Sequence, residues 1–330
     1  MRIKRILLAV LLTLAMAPGT FVRSELPLRD WQSPIAIKAL QVAPLKAGPL
    51  ELEAAWELSS ENFLAGGFSA LAHRPDGSFL SVSDTGRLIA FPRPDKAILP
   101  IHLHPFLATD AQDKRDADLE ALTVDPQTGT VWVALERSQS ILRFGPGLEP
   151  RGSVHPPEMA DWAKNAGPEA MTRLADGRFL LVEESAFDDG LHQALLFAWD
   201  PVAGGRPIAF TFQARDGFRP SDAALLPDGR VAVFLRGVDW GYPPGFPGQI
   251  VIVDPARITE GGILESILLA RIEAPLPSDN FEGMTVIDEG DGIWSLWLLS
   301  DDNFARFQRT LLLKFRWDTN ARPTRKKARR

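Results

Sequence analysis

Glu120, Glu169 and Glu282 stand at matching points of a recurring pattern: Glu120-Ala121-Leu122-Thr123, Glu169-Ala170-Met171-Thr172 and Glu282-Gly283-Met284-Thr285. Ser69-Ala70-Leu71 and Ser221-Asp222-Ala223-Ala224-Leu225 occupy the same place in two further units, and successive copies lie 51, 49, 52 and 61 residues apart. Asp118, Asn165 and Asn280 precede these positions, and Asp84, Glu183 and Asp301 follow at a later common point. Gathered at one edge, such side chains form a ring of hard oxygen donors, and Ca²⁺ takes about six to eight of them. Without a cation the carboxylates would repel one another and several would stay protonated. A bound Ca²⁺ would polarise an ester or phosphate oxygen and acidify a water.

The candidate metal ligands are therefore Asp118, Glu120, Glu169, Asp222, Glu282 and Asn280, with Glu120, Glu169 and Glu282 as candidate catalytic carboxylates. Asp84, Asp301 and Arg236 are candidate substrate-binding groups. Arg236 ends a strand where other units carry acids, so it either binds a phosphate or carboxylate or pairs with Asp222. The plainer alternative is that repeated Glu and Asp at strand edges cap turns or accept from neighbouring backbone. Among the histidines, His102 and His104 share a strand face, which a solvated edge explains more simply than a metal. Ser69 has no assignable histidine base and no Gly-x-Ser-x-Gly elbow exists, which speaks against a serine triad.

Hairpins must position these residues. After each copy comes a turn and then an apolar strand, with Asp76-Gly77, Asp176-Gly177, Asp228-Gly229 and Asp291-Gly292 as the turn and Gly129 in the remaining unit. Asp-Gly between apolar runs is a strong hairpin signal, because glycine accepts positive φ. The start of the first strand and the end of the second share an edge, which makes the repeat acids neighbours of the polar cluster after each strand. Further strands follow in every unit. A period near 50 with about four strands per unit marks a β-propeller rather than a helical solenoid. Five blades are visible, with six as the alternative, and Leu50 to Leu58 is expected to close the ring on the last blade. Helix signals are confined to 158–164 and 263–270. The stretch 240–245 reads as a loop over one face.

With 330 residues, 45% hydrophobic and 24% charged, the chain is large enough for a substantial core. Residues 1–20 read as a secretory signal, with Arg2, Lys4 and Arg5 ahead of a short apolar run, which implies a periplasmic or secreted protein that does not span the membrane. Proline-rich 21–49 is a linker or strap, 50–318 the propeller, and 319–330 a basic, solvated tail. Cysteine is absent, which excludes thiol and zinc-thiolate chemistry. With the nine basic groups of the two ends set aside, the rest of the chain carries a net charge near -15, which argues against nucleic acid. A monomer acting on a small molecule is expected.

The segments SDTG (83–86), DLEALTVD (118–125), EAMTRLADGRFLLVEE (169–184), PSDAALLPDGR (220–230), DNFEGMTV (279–286) and LLSDDNFARFQRTLLLKF (298–315) resemble the phytase-like family, also described as having the esterase-like activity of phytase. The resemblance covers almost all of the chain beyond the signal. It implies a propeller and a hydrolase of phosphate or other esters, with an anionic phosphoester as one substrate. A calcium-dependent lactonase and a non-catalytic binding propeller of the cell envelope are the alternatives, since fold does not fix function.

Overall fold

A computed structural model describes residues 30–321, except 108–116, 164, 189, 216, 242–243 and 306, together with Lys4, Ile6, Leu7, Val10 and Leu11. Two units separate, Met1–Asp30 and Trp31–Arg330. In the first, Lys4 and the four described residues of the apolar stretch, Ile6, Leu7, Val10 and Leu11, are helical. Among the described residues no helix is long and apolar enough to cross a membrane. The basic residues from Arg322 onward and most of the expected signal lie outside the described residues.

The second unit is an all-β propeller of five blades, so the five-blade reading holds and the six-blade alternative does not. Blade 1 is built from Phe68–His73, Ser78–Ser83, Arg87–Pro92 and Leu103–Pro105, and blade 2 from Leu119–Val124, Val131–Leu135, Ser140–Phe144 and Pro150–Val154. Blade 3 holds Pro168–Arg173, Phe179–Asp188, Leu191–Phe197 and Ile208–Gln213, with Ile263–Glu265 added in parallel at its edge. Blade 4 holds Arg219–Leu225, Val231–Arg236, Gly248–Val253 and Ile267–Ile272. Blade 5 holds Phe281–Gly290, Ile293–Ser300 and Thr310–Asp318 and is completed by Leu50–Ser59, antiparallel to Thr310–Asp318. Ala36–Leu40 pairs outside that strand, so part of the proline-rich segment is a strand of blade 5.

The first strands of the five blades contact one another in a closed circle, which makes them the wall of a central channel. Blades stack face to face, so their strands are buried on both sides and read as continuous apolar runs rather than alternating ones; Val231–Leu235 is buried throughout. One apolar core fills each of the five interfaces between neighbouring blades. Aromatic pairs cross them: Phe79 meets Trp297 edge-on at 4.9 Å between blades 1 and 5, and Trp132 meets Phe179 at 4.9 Å between blades 2 and 3.

Two helix expectations fail. Residues 263–270 form the edges of two different blades, because Ile263–Glu265 pairs with Ile208–Gln213 and Ile267–Ile272 with Gly248–Val253, and Ser266 donates its hydroxyl to Gln213 O at the changeover. In 158–164 the described structure is one 3₁₀ turn, Pro157–Met159. The Asp-Gly turns behave as expected: Gly77 has φ +83° and Asp76 Oδ1 accepts the Ser78 N–H at 2.9 Å.

Candidate functional site

Every inner strand carries a bulge at its first turn of pleat. The pairing skips one residue between Phe68 and Ala70, Leu119 and Ala121, Pro168 and Ala170, Pro220 and Asp222, and Phe281 and Gly283. The skipped residues are Ser69, Glu120, Glu169, Ser221 and Glu282, so the repeat position of the sequence is a bulge position in the structure. A bulge re-aims a side chain that the regular pleat would turn toward a neighbouring blade.

A second ring follows from the partner strands. Asp84 N donates to Gly67 O at 2.9 Å, Glu136 N to Asp118 O at 3.0 Å, Glu184 N to Gly167 O at 3.0 Å and Asp301 N to Asn280 O at 2.8 Å. Arg219 and Arg236 face each other at the corresponding place in blade 4. Asp84, Glu136, Glu184, Arg236 and Asp301 are therefore equivalent, each beside a skipped residue of its own blade.

Two halves of this mouth differ. On one, single oxygens of Asp118, Glu120 and Glu136 all lie within 4.8 Å of one another. Arg137 Nε donates to Asp118 Oδ2 at 2.7 Å from outside this trio. On the other, Arg236 is a central counter-ion: Nη1 donates to Glu282 Oε1 at 2.5 Å and to Asn280 Oδ1 at 3.3 Å, and Nη2 donates to Glu184 Oε1 at 2.8 Å. Asn280 Nδ2 also donates to Glu282 Oε1 at 2.8 Å.

The electrostatics record the crowding. Burial, then the charges of Glu169, Glu282, Asp118 and Glu136, push Glu120 well above the usual carboxylate range. Glu136 is pushed up to about 7 by burial and by Asp118, with which it shares a hydrogen bond. Burial also raises Glu169, with Arg236 opposing and Glu184, Glu282 and Glu136 adding to it. Glu282 rises by burial against the pull of Arg236 and Asn280, and Asp301 rises by burial and by the charge of Glu282. For Arg236 the surrounding carboxylates outweigh burial and hold the guanidinium charged.

Of the sequence candidates, Asp118, Glu120, Glu169, Glu282, Asn280, Asp84, Asp301 and Arg236 belong to this mouth. Asp222 points elsewhere. It stands one residue past the bulge, where other blades have Ala70, Ala121, Ala170 and Gly283, and its carboxylate accepts backbone N–H groups of Ala223 at 2.7 Å, Met284 at 2.6 Å and Leu71. Arg236 pairs with Glu282 and Glu184 rather than with Asp222. Glu183 faces away from the channel and accepts from Ala163 N at 2.9 Å and Ser185 Oγ at 2.5 Å, leaving Glu184 as the channel residue of blade 3. Asn165 is exposed, as are His102 and His104. Sequence reading passed over Glu136 and Glu184 as site residues; counting one residue past the strand that pairs with each repeat would have found both.

The far end of the inner strands lines a separate cavity of about 340 Å³, bordered by Leu71, Leu122, Arg173, Ala224 and Met284. Leu71, Ala223 and Met284 both line this cavity and donate their N–H groups to Asp222, which therefore lies at its roof, between it and the acidic mouth.

No curated protein matches the sequence. Among solved structures, the chain is similar to U3-55K (10% identity, 85% of this chain and 98% of that one, TM-score 0.40). It is also similar to a chain of a nidogen/laminin complex (10%, 85% and 96%, TM-score 0.42) and to a gluconolactonase from Xanthomonas campestris (15%, 89% and 99%, TM-score 0.43). The family model described as phytase-like, esterase-like activity of phytase, matches residues 64–304, from the loop before blade 1 to the loop that follows Asp301. That span takes in every residue of both rings, and the chain belongs to the phytase-like family.

Proposed function

We propose that the protein is a cation-assisted hydrolase of ester bonds that works at the acidic mouth of the channel, with Asp118, Glu120 and Glu136 as the ligands of a Ca²⁺ ion. The observation that carries this reading is the convergence of three carboxylate oxygens within 4.8 Å. The donor set fits the ion: all three are hard oxygens, Arg137 pairs with Asp118 from outside the trio, and burial with mutual repulsion raises the proton affinity of Glu120 and Glu136, a crowding that a bound cation would relieve. The other half has its own cation in Arg236.

When bound, the ion would supply Lewis-acid polarisation of an ester oxygen and acidification of a water. Glu169 feels charges of both halves and has a raised proton affinity, which suits it to take and return a proton. Arg236 keeps Glu282 and Glu184 turned inward as their counter-ion, while Asp84 and Asp301 border Glu282. Purified protein assayed on aryl esters, lactones and phosphomonoesters, with Ca²⁺ and with chelator, tests the reading. Expected is hydrolysis that chelator abolishes and Glu120→Gln removes; activity indifferent to chelator would overturn the metal role.

A non-catalytic binding propeller is the second reading, favoured by the internal guanidinium that already compensates half of the mouth. Inactivity on all three substrate classes would select it. We further propose residues 1–20 as a cleaved secretory signal and a periplasmic or secreted location for a monomer, on the charge and apolar pattern of that segment.

A further inference from the structure

The loops on the acidic side of the propeller carry large exposed apolar side chains. Trp240 is 88% exposed, Phe307 70% and Phe187 60%, and Val238, Phe63 and Phe304 are also exposed. Each is tied to the mouth by the chain. Phe187 follows Glu184 on the same strand, Val238 and Trp240 follow Arg236, Phe304 and Phe307 follow Asp301, and Phe63 lies in the loop that leads into blade 1. Packing ties one of them directly. A Cβ on Gly67 would sit 2.3 Å from Asp84 Oδ1 and 2.7 Å from Phe304 Cε2, so Phe304 and the mouth carboxylate Asp84 share the same glycine surface. Among the described residues, the one exposed aromatic of the blades outside this side is Trp199, at the far end of blade 3. Tryptophan and phenylalanine left in water on one side of a domain, around a polar centre, are the signature of a ligand surface.

Charge decides what kind of ligand. The mouth gathers Asp84, Asp118, Glu120, Glu136, Glu169, Glu184, Glu282 and Asp301 against Arg236 at its centre, and Arg137 and Arg219 at its edge are already turned to Asp118 and Glu184. Eight carboxyl groups stand against three guanidiniums here, and a polyanion entering the mouth would be repelled by those that are ionised and would compete with them for a bound cation. We propose that the substrate is an uncharged carboxylic ester with a bulky apolar group, which lies on the rim of Trp240, Phe307 and Phe304 while its ester carbonyl enters the mouth; this rests on the hydrolase reading above. In the step, the oxygen of water bonds to the carbonyl carbon and the acyl–oxygen bond breaks. One water proton ends on the leaving alcohol, and the other is released with the carboxylate product.

The test uses full-length protein with Ca²⁺, on 2-naphthyl butyrate, methyl butyrate, 2-naphthyl phosphate and inositol hexakisphosphate. Expected is a preference for 2-naphthyl butyrate, a KM for it that rises at least about fivefold in Trp240→Ala/Phe307→Ala with kcat within about twofold, and a change below about twofold for methyl butyrate, in line with stacking contributions of about 1 kcal/mol. Faster turnover of either phosphate, or an unchanged KM in the double variant, overturns the inference. Binding of the uncleavable 2-naphthyl butyl ether, followed by saturation-transfer NMR, separates the two readings. If no ester is cleaved yet the ether binds the parent and not the double variant, the rim stands as a site for an uncharged apolar ligand and the hydrolase reading falls. If the ether binds neither protein, or both equally, the rim inference falls whatever the activity.

Discussion

Asp222 accepts the backbone N–H of Met284, in the neighbouring blade, through Oδ2 at 2.6 Å, and this fully buried carboxylate also holds the N–H groups of Ala223 and Leu71. It thus links inner strands of blades 4, 5 and 1 where the other blades offer only alanine or glycine. Asp222→Ala would leave buried N–H groups without an acceptor, and we expect a loss of about 3 kcal/mol, roughly 6 to 10 °C in Tm. The calcium response should persist. Loss of that response with little change in Tm would return Asp222 to the ligand set.

Calcium at 100 times its dissociation constant should add about 2.7 kcal/mol if it binds only the native state, a rise of roughly 5 to 10 °C. Glu120→Gln keeps the shape of the trio Asp118, Glu120 and Glu136 but removes a charge. The calcium increment should shrink or vanish in this variant while the metal-free protein is no less stable, because the amide resembles the protonated carboxyl that burial and the neighbouring carboxylates favour at Glu120. Calorimetry with Ca²⁺ and with chelator reads both quantities, and a large loss of stability in the metal-free variant would make Glu120 a structural acceptor.

Glu136 sets a pH dependence. Its folded value, about 7, lies above its ordinary value near 4.5, so the native state holds a proton there that the unfolded chain has released. That contribution is complete below pH 4.5 and is lost as pH rises to about 7. His73 and His192, both lowered by burial, act in the opposite sense over part of this window. The comparison with Glu136→Gln cancels them: without metal, the parent should lose more stability than the variant between pH 5 and 7. Parallel pH profiles would show that Glu136 does not titrate in this range.

Arg236→Met removes the counter-ion of Glu184 and Glu282. Its side chain is a quarter exposed, and we expect a loss of about 2 to 3 kcal/mol at pH 8, at the low end for a broken buried pair. The deficit should be smaller at pH 5, where Glu169 and Glu282, raised further without the guanidinium, accept protons. An equal deficit at both pH values, by urea titration, would reduce Arg236 to a packing role.

Protein isolated from its host should begin between Pro18 and Glu25 and be found outside the cytoplasm. Terminal sequencing that finds Met1 or Arg2 intact in soluble protein would sink this.

The ring of Glu120, Glu169 and Glu282 was legible because a bulge recurs at a fixed place in every blade, and a fixed place in a repeat keeps its residue type in view. Ser221-Asp222 and Glu183-Glu184 were not resolved by sequence because each is a pair of polar residues across a pleat. A shift of one residue sends the side chain to the opposite face, and nothing in composition tells which member faces the channel. Glu136 was visible as a strand end, but its nearness to Asp118 depends on pairing across the hairpin. The edge strands at 263–272 misled for another reason: a ten-residue run with Leu, Ile and Ala fits a helix face as well as two short strands, and the deciding partners lie in blades 3 and 4.

The strand Leu50–Ser59, which seals blade 5, is among the first parts of the propeller to be synthesised and pairs with one of the last, Thr310–Asp318. Ring closure therefore waits for nearly the whole chain, and so large a sequence separation slows folding. Until then two open edges, rich in leucine, are available to other molecules. A polypeptide interrupted anywhere before Thr310 would be released not as a shorter propeller but as an open arc with adhesive ends, so premature termination should yield aggregate rather than partial activity.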